Sequence, residues 1–208
     1  FFDSWLFEVT MDVHEYSPYS ESWLKNGYRK NSLVTVGATT NLNVSEKIRN
    51  LSKNEVLPYL QNYIQKAGFS SFTYCPGGPP ETDYLRYSTF DINDGRQSLG
   101  IQNSLSFIQE GMNGKDDFLE NMQARAYSQM TGMFALLDYV YLNDKKITKL
   151  IHSQRKKLTR ATKNELVSIQ MQHIKNGEKI HLPVLSLESG NDSIIISDNF
   201  NPVVKSLY

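Results

Sequence analysis

Two segments alternate apolar and polar residues with the period of a β-strand. In the first, Trp5, Phe7, Val9, Met11 and Val13 fall on one face, and Leu6, Glu8, Thr10, Asp12 and His14 on the other. Ser17-Pro18 then breaks the strand, because proline cannot donate to a ladder and restricts the residue before it. In the second, residues 103–110, Leu105 and Phe107 alternate with Ser104, Ser106, Ile108 and Glu110, and Gly111 is expected to end the strand. Each strand thus delivers an ionisable side chain, His14 or Glu110, to its carboxyl end, the place where open α/β sheets bind ligands.

The rest of the chain reads as connections and helices. Residues 16–43 are polar and rich in Ser, Tyr, Asn and Gly, with one extended stretch at Leu33-Val34-Thr35-Val36, the pattern of a loop lining a cleft. A helix is expected from Ser52. Ser52 and Glu55 stand at capping-box spacing, Val56, Leu57, Leu60, Tyr63, Ile64 and Ala67 share a face, and Pro58 lies early enough to kink the helix without forbidding it. The prolines and glycines of residues 73–80 predict a loop, followed by a strand-like run at 84–90. The longest helix is expected over 116–143, burying a stripe of Leu119, Met122, Ala126, Met130, Met133, Leu137 and Val140. A Lys- and Arg-rich helix follows residue 144, then strands at 180–187 and 193–197 joined by a turn at Ser189-Gly190-Asn191-Asp192. This alternation predicts an α/β fold, a mixed twisted sheet flanked by helices over residues 1–143, with a small C-terminal α+β accessory segment over 144–208.

Composition narrows the partners. The 22 basic and 22 acidic residues cancel, so there is no electrostatic case for nucleic acid or a membrane surface, and no apolar run reaches the length of a membrane span. The basic run after Asp144 lacks interleaved aromatics and reads as a solvated helix face. The apolar start of the chain has neither a charged leader region nor a small-residue cleavage site, so it reads as a strand and not as a signal peptide. Cys75 is the single cysteine, with no assigned histidine or helix terminus to activate it, and reads as a spectator thiol.

The strand-end histidine in Asp12-Val13-His14-Glu15-Tyr16-Ser17 and the strand-end glutamate in Asn103-Ser104-Leu105-Ser106-Phe107-Ile108-Gln109-Glu110 resemble two motifs of the zinc metallocarboxypeptidases of the carboxypeptidase A type. The resemblance covers roughly residues 5–143 and implies that His14 is the third zinc ligand and Glu110 the catalytic glutamate. It also implies a peptide substrate, a Zn2+ cofactor and export to the extracellular or periplasmic space. The family's first two ligands come from an H-x-x-E motif. No histidine here is followed by glutamate at that spacing: His14 meets Ser17, His152 meets Arg155, His173 meets Asn176 and His181 meets Val184. The chain therefore reads as the C-terminal half of a peptidase domain, whose remainder, with the groups that grip a terminal carboxylate, is expected upstream.

The chemistry so implied is metal-assisted amide hydrolysis. Glu110 would take a proton from water and pass it to the departing amine, a double role suited to a raised carboxyl pKa. Glu15 points away from His14 if the strand persists and is not assigned as a ligand. Arg96, just before the glutamate strand, is a candidate for binding a substrate carboxylate as a bidentate fork, as is Arg86. Tyr74 lies in a loop that resembles the one carrying the family's mobile tyrosine. Two alternatives stay open: a catalytically inactive peptide- or glycan-binding module of the same fold, and an amidohydrolase like aspartoacylase and succinylglutamate desuccinylase.

Overall fold

A computed structural model describes residues 2–87, 89–115, 119–160 and 166–207. A short helix α1 (Phe2–Trp5) precedes β1 (Val9–Tyr16), so the strand expected from the start of the chain begins later. Leu6 sits between them in the left-handed region at φ 48° and ends the alternation on its amino side. Helix α2 (Glu21–Leu24), β2 (Tyr28–Lys30) and β3 (Val34–Ala38) follow within the segment read as a cleft loop.

The next helix starts earlier than expected. Helix α3 (Glu46–Leu51) runs through a π-helical turn (Ser52–Val56) into α4 (Leu57–Lys66), and Ser52 is fully buried inside it instead of capping it. A wide turn suits this place, because Pro58 supplies no amide hydrogen and its ring crowds the carbonyl four residues back. Then come β4 (Ser71–Thr73), α5 (Gly95–Gly100) and β5 (Leu105–Met112). Among the described residues of the run at 84–90 no strand forms; Arg86 makes an isolated bridge to Phe200.

Helix α6 (Met122–Leu142) and helix α7 (Asp144–Leu158) lead to two long strands, β6 (Ser168–Ser186) and β7 (Asp192–Leu207), joined by the expected turn. Residues 116–118, the expected start of α6, lie outside the described residues. The expected buried stripe of α6 is corrected: Met122, Met130, Met133 and Leu137 are 44–63% exposed, and the buried face is Ser128, Gly132, Ala135, Leu136 and Tyr139. A helix apolar nearly all round offers several stripes, and the sheet accepts the one whose small residues permit close approach.

The strands form two sheets. The first has the order β1-β5-β3-β4, with β5 parallel to β1 and antiparallel to β3, so it is mixed as expected. The second has the order β2-β6-β7. One core packs Val34, Val36, Leu105 and Phe107 of the first sheet against Ile48, Leu60 and Ile64 of α3 and α4 and Ile147 and Ile151 of α7. A smaller cluster of Trp23, Cys75, Leu85, Ile180, Leu182 and Val184 joins the second sheet to the loops beside the first. The molecule is a mixed α/β structure with two sheets flanked by helices, and none of its described helices is long and apolar enough to cross a membrane.

Candidate functional site

Strands β1 and β5 pair His14 with Glu110. Paired residues of adjacent strands project to the same face, so the imidazole and the carboxylate leave on one side near the carboxyl ends of both strands, whose backbones run about 4.8 Å apart. Asp12, two residues back, shares that face, and His14 Nε2 donates to Asp12 Oδ1 at 2.8 Å. The carboxylate draws the ring proton to Nε2 and leaves the Nδ1 lone pair for a ligand. Glu15 turns to the opposite face, as alternation requires, where both of its oxygens lie 2.7 Å from Arg125 Nη2 in α6.

Glu110 is half-buried, and β3 pairs it with Thr35 on its other side. Among the described residues its carboxylate has no hydrogen bond or ion pair at contact distance. Burial pushes its pKa above the usual carboxylate range, while the nearby cations Lys30 and Arg96 pull it back. A proton acceptor that is neither spent on a partner nor fully solvated is the result.

Tyr74 follows β4 and lies against β3, where a Cβ at Gly37 would come within 2.8 Å of the Tyr74 Cβ; this close approach explains the glycine. The Arg96 guanidinium stacks 4.7 Å from the centre of the Tyr74 ring and reaches Asp94 Oδ2 at 2.9 Å. Arg96 is fully buried, so it stands behind Tyr74 and not in an open cleft. Arg86 does not line the small cavity beside Glu110; its guanidinium lies 4.7 Å from the Tyr84 ring centre and 3.4 Å from Asp83 Oδ2, and its charge reaches Lys30 and Cys75.

Sequence reasoning missed Lys30. It ends the three-residue strand β2, and its Nζ donates to the Cys75 carbonyl at 2.7 Å while lying 4.9 Å from the Trp23 ring centre. Burial lowers its pKa, opposed by the nearby carboxylate of Glu110. An isolated lysine in a polar stretch carries no periodic signal; β6, which pairs Lys30 with Val184 near the other end of the chain, fixes it here. Tyr16, Lys30, Thr35, Tyr74, Cys75 and Glu110 surround a cavity of about 90 Å³, closed on one side by Leu182 and Pro183 of β6. A larger cavity of about 410 Å³, edged by Arg49, Lys53 and Phe200, contains none of the expected site residues.

Chemically, the face offers a carboxylate with raised pKa, an imidazole oriented by a second carboxylate, and a buried cation beside a small cavity. No group of three or more His, Cys, Asp or Glu side chains placed to hold a metal occurs among the described residues. No family model, curated protein or solved structure matches the chain.

Proposed function

We propose that this chain carries half of a zinc metallocarboxypeptidase-like site that hydrolyses C-terminal amide bonds of peptides, with Glu110 as general base and His14 as one metal ligand. The observation that carries the reading is the register of β1 and β5, which sets the two side chains on one face at the carboxyl ends of parallel neighbours. The mixed sheet with helices packed on it supports the carboxypeptidase-like architecture that the resemblance implies. So does the open side of the molecule. β1 is an edge strand, and α6, tied behind it through Arg125 and Gln129, leaves Phe134, Leu137 and Tyr141 55–80% exposed. An unpaired edge beside an apolar helix face is what a further strand and helix would cover.

The fit to zinc is that of one ligand and not of a set. His14 has the carboxylate partner that orients metal-binding histidines. The remaining ligands belong to the proposed upstream part. Zinc bound there would polarise the scissile carbonyl and acidify water.

The chain's own residues supply the other roles. Asp12 holds the proton on His14 Nε2 and so turns Nδ1 outward. Glu110 takes a proton from the attacking water and returns it to the departing amine. Arg96 is a positioning residue: held by Asp94, it fixes the Tyr74 ring beside the cleft.

Zinc content, measured by elemental analysis on this chain and on a protein extended upstream, tests the proposal. One zinc bound by the extended protein alone, and lost in His14→Ala, is the expected result. No zinc in either form overturns it and favours a metal-free peptide- or glycan-binding module. In the zinc-loaded protein Glu110→Gln is expected to keep the metal and lose about 10²- to 10⁴-fold in turnover; hydrolysis at the parental rate would refute the catalytic assignment.

A further inference from the structure

We propose that the cavity beside Glu110 is a subsite for a carboxylate on the substrate's side chain, with Lys30 as its counter-ion, so that the preferred substrates end in an acidic residue. This rests on the hydrolytic reading above and adds a substrate class to it.

Lys30 is mostly removed from water, and an ammonium has three donors. Among the described residues one donor is used, on the Cys75 carbonyl, and the Trp23 ring covers another side. Burying a cation with donors to spare is costly unless an anion completes the site. Glu110 is near enough to interact through its charge but makes no contact ion pair with it. The cavity lies between them, bounded by both side chains.

A second observation points the same way. Thr35 lines the cavity, and its buried hydroxyl has no hydrogen-bond partner among the described residues, an arrangement that native structures rarely leave without a ligand or water. Lys30 and Thr35 thus bring a cation and a hydroxyl-bearing side chain to the wall of one small space, the kinds of group that recognise a carboxylate. The other walls suit a short aliphatic stem: Phe72, Leu182 and Pro183 are apolar. An Asp or Glu side chain has this form, a methylene stem ending in two acceptor oxygens. A neutral amide of the same size would leave the lysine without its counter-charge, the asymmetry that makes polar pockets selective.

The test uses this chain and three dipeptides, followed by NMR chemical-shift titration. Gly-Glu carries both carboxylates, Gly-Gln only the terminal one, and Gly-Glu amide only the one on the side chain. Gly-Glu and Gly-Glu amide are expected to bind at least ten-fold tighter than Gly-Gln, equivalent to about 1.4 kcal/mol. Lys30→Met should abolish the discrimination and Lys30→Arg should retain most of it. Equal binding of Gly-Glu and Gly-Gln overturns the proposal, as does no detectable binding of any of the three. Tight binding of Gly-Gln with loss of Gly-Glu amide assigns the lysine to the terminal carboxylate and also overturns it. Should Lys30→Met not fold, the comparison of dipeptides on the parent and on Lys30→Arg still decides. Discrimination without hydrolysis in the zinc-loaded extended protein would refute the hydrolytic reading and leave the subsite standing; hydrolysis without discrimination would do the reverse.

Discussion

Gly132→Ala should destabilise the protein although it puts a better helix former into α6. A Cβ at this position would stand 1.9 Å from Gln109 Oε1 and 2.7 Å from its Cδ, so the Gln109 side chain must move. That side chain is fully buried; its Nε2 donates to Gln129 Oε1 at 2.6 Å and to the Gln129 carbonyl at 2.8 Å. Gln129 Nε2 in turn donates to the His14 carbonyl at 2.6 Å, so this amide chain ties α6 to both strands of the candidate site. Alanine for glycine in an exposed helix interior gains about 1 kcal/mol. Each buried group left unpaired costs about 1–3 kcal/mol, and displacing Gln109 endangers two bonds. The loss wins, by about 1–5 kcal/mol net.

At about 2–4 °C per kcal/mol for a chain of this size, Tm should fall by roughly 2–20 °C, which thermal and urea unfolding followed by circular dichroism would register. A Gly132→Ala protein as stable as the parent would refute the reasoning. The cycle with Gln109→Ala is the sharper check: with the amide gone the alanine fits, and the two substitutions should couple by about 1–3 kcal/mol. Additive effects would show that the contact is not the cause.

Two further outcomes follow from the electrostatics. Burial raises the pKa of Glu110 in the folded state, so the folded protein binds its proton more readily than the unfolded chain does. The ionised carboxylate therefore costs stability above its folded pKa, and the cost fades as pH falls toward the unfolded value. Glu110→Gln should stabilise the fold at pH 8 and do so less at pH 4; a gain independent of pH, read by urea denaturation, would contradict this. Cys75 is 4% exposed and its thiol is pushed up to about 11 by burial, so native protein at pH 8 should react with a thiol reagent far more slowly than protein in urea. Equal rates would mean that the thiol is open to solvent.

The main strands were legible because period-two alternation is a local property. β1 and β5 overlap the two alternating segments, and the same count places His14 and Glu110 near their carboxyl ends and turns Glu15 away; each strand runs two residues further than expected, β5 through Gly111 instead of ending there, because Glu15 and Tyr16 continue the pairing with Gly111 and Met112. The start of the α3–α4 helix was not legible, since Ser52 and Glu55 have the spacing of a cap but Ser52 is buried against the core. Nor was the packed face of α6. Its sequence is apolar on more than one side, and the decision falls to Gly132, which alone permits the approach to Gln109.

What the sequence by itself determined is the set of local periods and breaks, and with them two strand ends bearing an imidazole and a carboxylate. Only the tertiary structure decided that these ends are neighbours, that Asp12 orients the imidazole, that Arg96 stands buried behind Tyr74, and that Lys30 faces the cavity beside Glu110. The physical reason is that periodicity reports which face a residue occupies within its own element, whereas a site's charges interact through contacts between elements far apart in the chain. Lys30 comes to Glu110 because β3, which follows it, pairs Thr35 with Glu110 while β2 pairs with β6, and nothing within the few residues around Lys30 encodes those pairings.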